Sequence, residues 1–91
     1  MQGNPAHTDF PLFRKTNNGK SFYKITAKDQ LIELQIIGTS FLLHHLKAEL
    51  YPEKLFIHEL IDNSEQRYLV IDETEFESML RHCREHLKSI A

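Results

Sequence analysis

The chain is poor in the residues that staple or anchor a protein: one cysteine, no tryptophan, three glycines and three prolines in 91 residues. A lone Cys83 cannot form an internal disulfide, so packing must supply the stability, and a single free thiol points to a reducing, cytoplasmic address. The glycines stand apart at positions 3, 19 and 38, which excludes a glycine-rich phosphate loop. Apolar clusters such as Ile36-Ile37 and Phe41-Leu42-Leu43 are far shorter than the roughly 20 residues of a membrane-spanning helix. Met1 to Asp9 is polar and holds Pro5, so it lacks the apolar run of a signal peptide and reads as a disordered tail.

What remains is ordinary globular material, with 41% hydrophobic and 26% charged side chains. A chain this short buries only roughly 60 to 65% of its unfolded surface, so a single domain over residues 10–90 must recruit nearly every large apolar residue to its core. That leaves little volume for a private active-site cavity.

The net charge of -2 conceals an uneven distribution. Residues 10–28 carry Arg14, Lys15, Lys20, Lys24 and Lys28 with no acid, while the rest of the chain holds 6 basic against 13 acidic residues. One edge of the molecule is therefore expected to face anions.

The stretch from Phe10 to Thr26 is aromatic, β-branched and cationic, interrupted by Thr16-Asn17-Asn18-Gly19-Lys20, which is a hairpin signal. Asn18-Gly19 suits a two-residue loop and Asn17-Asn18-Gly19 a three-residue one. The longer loop is preferred, and it would put Phe13, Tyr23 and Ile25 on one face with Arg14, Lys20, Phe22 and Lys24 on the other. Two capping boxes follow. Thr26 with Asp29 predicts a short helix over 27–36, stopped by Gly38, although the dense apolar content of that stretch also fits a strand. Asp72 with Glu75 predicts a C-terminal helix in which Phe76, Met79, Leu80, Cys83 and Leu87 recur every three or four residues, with acids first and Arg81, Arg84 and Lys88 later, as the helix dipole favours. Between them, 40–49, 54–61 and 65–71 read as strands parted by Tyr51-Pro52-Glu53 and Asp62-Asn63-Ser64, with a helix as the alternative for 41–50. The fold class expected is α+β: a small, mainly antiparallel sheet opening on an N-terminal hairpin, packed by the C-terminal amphipathic helix and a second short helix.

Chemistry is sparse. His82 and His86 stand one helical turn apart, the spacing at which two imidazoles share a metal. They lie on a flank of the apolar stripe, however, and no C-x-x-C pair accompanies them, so no metal or other cofactor is expected and the pair is kept as the alternative metal site. Cys83 sits on the apolar stripe, where a thiol stays protonated and unreactive. Glu73, Glu75 and Glu77 belong to a helix N-terminus, and no catalytic residues are assigned. In the hairpin, Arg14, Lys15, Lys20 and Lys24 interleave with Phe13, Phe22 and Tyr23, the ingredients of a single-stranded nucleic-acid platform, yet the pI near 6.3 is far below the value of about 9 usual for such domains. The favoured expectation is a small non-enzymatic domain that binds a protein partner or forms a homodimer, with nucleic-acid or polyanion binding through the hairpin at 10–28 as the alternative.

Phe22-Tyr23-Lys24-Ile25, Ile37-Gly38 and Tyr51-Pro52-Glu53-Lys54-Leu55-Phe56-Ile57 resemble segments of a family of small, uncharacterised bacterial proteins. The resemblance spans most of the chain beyond residue 9 and implies no activity or site residue.

Overall fold

The computed structural model describes residues 9–90. The tail expected over residues 1–9 lies outside them apart from Asp9. Four antiparallel strands come first in chain order: β1 (Leu12–Thr16), β2 (Ser21–Ala27), β3 (Gln30–Ile37) and β4 (Ser40–Lys47). Helix α1 (Tyr51–Asp62), β5 (Tyr68–Val70), α2 (Glu73–His86) and β6 (Lys88–Ser89) complete the chain. The sheet order is β5-β1-β2-β3-β4-β6, with only the β4–β6 pair parallel. The expected α+β class is present, with its opening hairpin and its packed C-terminal helix.

Local chemistry explains each turn. Between β1 and β2 the Gly19 N–H donates to the Thr16 carbonyl, Gly19 takes φ +70°, and the Asn18 side chain accepts from the Lys20 N–H. The resulting loop spans Asn17 to Lys20, so the strands pair Phe13 with Lys24 and Lys15 with Phe22. This register is one residue away from that of the expected three-residue loop. It moves Phe22 onto the face of Phe13, and Arg14 onto the face of Tyr23 and Ile25. Gly38 (φ +61°) opens a two-residue turn between Ile37 and Ser40, the Gly-first pattern of a tight hairpin.

The helix expected over 27–36 is instead strand β3. Thr26 sits at a register shift between Ile25 and Ala27, its hydroxyl donating to the Gln30 carbonyl, and Lys28-Asp29 form the turn. The second helix lies at 51–62, where a strand was expected over 54–61. Pro52 stands in the first turn, and the Glu53 carboxylate reaches back to the N–H groups of Glu49 and Leu50 at 3.0 and 3.1 Å, which holds that carboxyl below its ordinary range. Phe56, Ile57, Leu60 and Ile61 then form an inward stripe of helical period.

The registers show why the strands read poorly in isolation: both faces of the sheet are covered. One face carries Phe13, Phe22, Leu34 and Phe41 against Phe76, Leu80 and Cys83 of α2. The other carries Tyr23, Ile25 and Leu31 against Ile57 and Leu60 of α1, with Tyr23 edge-on to Phe56 and Tyr68 at ring separations of 5.7 and 6.0 Å. A strand buried on both faces shows a near-continuous apolar run rather than alternation. Each helix covers only part of its face. Lys24, Ile32 and His45 flank the α2 core, and Glu33, Gln35 and His44 flank the α1 core, all of them half-buried or exposed.

Candidate interaction surface

Four cations and one aromatic ring make up the expected binding cluster of the hairpin, and the fold disperses them. Arg14 is 8% exposed, and its guanidinium donates to the carbonyls of Phe13 (2.9 Å), Leu60 (3.0 Å) and Ile61 (3.4 Å). The last turn of α1 holds no basic residue of its own, so a cation from β1 satisfies its terminal carbonyls and the negative end of its dipole. Lys15, on the opposite face, is bonded to Glu75 of α2 at 2.5 Å and lies 5.9 Å from the centre of the Phe22 ring. Phe22 is 2% exposed and packs in the α2 core. Lys24 is half-buried beside Ile32, and Lys20 stands exposed in the turn. The aromatic ring that would stack on a base is thus inside the protein, and the cations point to different surroundings. No exposed platform joins Arg14, Lys15, Lys20, Phe22 and Lys24.

The capping of α2 differs slightly from the sequence reading. Asp72 accepts from the Glu75 N–H at 2.9 Å, whereas the Glu75 carboxylate turns outward to Lys15 instead of back to the cap. Cys83 is fully buried, and burial pushes its thiol pKa up, the reverse of what a nucleophile needs. His82 and His86 are both exposed, with ring centres 4.8 Å apart. Among the described residues no group of three or more His, Cys, Asp or Glu side chains is placed to hold a metal. No described helix is long and apolar enough to cross a membrane.

A cleft of about 260 Å³ lies along the outer side of α1, lined among others by His58, Glu59, Asp62, Arg67 and Tyr68. Hydrogen bonding to Ser64 holds the Asp62 carboxyl below its ordinary range. Asp62 is therefore a carboxylate already engaged with Ser64 at the helix end, and Ser64 and His58 line the same cleft.

The two edges of the sheet are built differently. The Ile71 N–H donates to the Phe13 carbonyl, so alternation along the ladder turns the main-chain groups of Tyr68 and Val70 toward the free edge of β5. Asn63, in the left-handed conformation at the end of α1, then acts as a false strand. Its amide nitrogen donates to the Tyr68 carbonyl at 2.9 Å, and its oxygen accepts the Tyr68 N–H at 3.1 Å. The β5 edge is closed at Tyr68.

At the other edge, the Ala48 N–H donates to the Asp29 carbonyl, which sets the even-numbered residues of β4 against β3 and turns Phe41, Leu43, His45 and Lys47 outward. Strand β6 pairs with Ser40 and Phe41, and the Ile90 N–H takes the Phe41 carbonyl. Beyond that point no described strand pairs with β4. The segment Leu43–Lys47, roughly 17 Å long at the usual rise per residue, presents an open row of donors and acceptors, flanked by the exposed side chains of His44, His45 and Lys47. The sequence pattern alone does not mark these residues as a sheet edge. Whether a strand lies at the centre or the edge of a sheet is decided by topology, and the only trace in the sequence is the polar ending His44-His45-Leu46-Lys47.

Compared with known protein families, curated proteins and solved structures, the chain finds no match.

Proposed function

We propose that this chain is a non-enzymatic interaction domain that associates by strand addition along the outer edge of β4, with a second copy of itself as the partner. The observation that supports the reading is the contrast between the edges: on the short β5 edge the Asn63 amide takes the main-chain groups of Tyr68 and leaves only those of Val70 outward, while the β4 edge leaves Leu43, His45 and Lys47 unpaired with any described strand. An antiparallel partner along that edge gains main-chain hydrogen bonds whatever its side chains are. A two-fold axis at His45 makes the edge self-complementary, since Leu43 then faces Lys47 of the second copy and His45 faces its own equivalent. The two lysines are kept apart, and the sheets join into one.

His45→Pro tests it. The outward His45 N–H is not used by the β3 ladder, so proline removes a donor from the edge alone, a position sheets tolerate. Sedimentation of the wild-type protein from about 10 µM to 1 mM should show monomer passing to dimer, with slowed amide exchange at His45 and Lys47 in the dimer, and the variant should stay monomeric with an unchanged fold by circular dichroism. A wild type that remains monomeric throughout, or a variant that dimerises equally, overturns the proposal.

A further inference from the structure

We infer that His82 and His86 form a two-point site for a divalent transition-metal ion of the imidazole-preferring class, with copper(II) bound most tightly, then nickel(II) and zinc(II). The inference is independent of the β4 edge. Both residues lie on α2 one turn apart, both are exposed, and their rings stand 4.8 Å apart with planes tilted by 39°. A metal sits about 2.0 to 2.1 Å from an imidazole nitrogen, with the ring centre about 1.2 Å farther back, so two rings on one ion at angles between square-planar and tetrahedral have centres about 4.5 to 5.2 Å apart. The observed separation falls inside that window. The i,i+4 spacing on one helix thus keeps the two rings within reach of a single ion.

The surroundings decide the kind of site. Neither ring is hydrogen-bonded or ion-paired to another described residue, so no protein partner has to be displaced. Cys83 lies between them in sequence but points into the core and cannot join them. With no third protein ligand among the described residues, the ion keeps positions open to water. That is unlike a structural zinc site, which is closed by four protein ligands, and it leaves the general order of divalent affinities to rank the ions. His86 ends the helix, where the dipole favours a cation. The other neighbouring pair, His44 and His45, occupies successive positions of β4 on opposite faces of the sheet and cannot grip one ion together.

The test is titration of the full chain with copper(II) chloride at neutral pH, followed by the visible absorption of the bound ion, and with zinc(II), followed by the imidazole proton resonances. One equivalent should saturate the site, and the resonances of His82 and His86 should move together. His82→Ala and His86→Ala should each weaken copper binding about tenfold or more, a change larger than one decade of affinity marking loss of the chelate. Both positions are exposed, so an unchanged circular dichroism spectrum is expected and separates this loss from unfolding. A His44→Ala, His45→Ala double variant should bind as the wild type does. Equal binding by either single variant of the helix pair, or loss of binding only in the β4 variant, overturns the inference.

Discussion

At the residue scale, Arg14 shows how far a side chain's role depends on what stands opposite it. Its guanidinium is enclosed between β1 and the end of α1 and bonded to three carbonyls. Arg14→Met keeps the stem and strips the donors, leaving the carbonyls of Leu60 and Ile61 unserved. It should cost about 2 to 4 kcal/mol in urea unfolding, whereas Lys20→Ala in the exposed turn should change stability by less than about 0.5 kcal/mol. Tyr23 carries a second residue-scale prediction. Burial, reinforced by the charge of Glu33, pushes its phenol up to about 12. An unfolded tyrosine releases its proton near 10. Between about pH 10 and the folded value the unfolded chain holds fewer protons, so stability falls with rising pH across that window. Melting curves of Tyr23→Phe should decline less steeply than those of the wild type from pH 10 to 12, and parallel declines would show that Tyr23 does not ionise on unfolding.

At the scale of elements, α1 stands where the sequence pattern predicts a strand over 54–61, although helix signals are present in the sequence. Tyr51-Pro52-Glu53 predicts a break between strands, but proline in a first turn with glutamate three residues past the cap also opens a helix, and Phe56, Ile57, Leu60 and Ile61 repeat at its period. The capping box at Thr26 misleads in the opposite direction, predicting a helix where β3 stands. A Thr-x-x-Asp pattern also suits a bulge followed by a tight turn, and Leu31, Leu34, Ile36 and their neighbours could not decide between helix and strand because they fill both faces of the sheet. Helix α2, with one apolar stripe and a solvent side, was legible because a surface helix retains its period. Leu80→Ala on that stripe should cost about 2 to 5 kcal/mol in denaturant unfolding. Asn63→Gly tests the closure of β5. Glycine keeps the left-handed backbone (φ +48° at Asn63) but removes both bonds to Tyr68, so amide exchange at Tyr68 should quicken, with a loss of about 1 kcal/mol in stability.

At the scale of the whole molecule, one sheet separates two apolar clusters that share its backbone but contact different helices. The Cα radius of gyration of 13.7 Å exceeds the roughly 12 Å expected for a compact chain of this length, as befits a plate with partly covered faces. Because β1 to β4 contribute to both clusters, the halves cannot unfold separately. Leu80→Ala and Ile57→Ala should each shift one common denaturant transition, and their costs should add within about 0.5 kcal/mol because the two side chains lie in different clusters. Two resolved transitions in either variant would contradict that linkage.

The linear sequence by itself determined the α+β class, the opening hairpin, the capped C-terminal helix and the protonated, enclosed Cys83, because each follows from local periodicity, turn chemistry or the position of a residue on one stripe. Only the tertiary structure decided which strands lie at the edges, that the hairpin register hides Phe22 and buries Arg14, and that His45 and Lys47 face outward from an unpaired row. Those outcomes depend on which partner each face meets. A backbone hydrogen bond or an apolar contact is set by the opposing element, and no short window of sequence contains it.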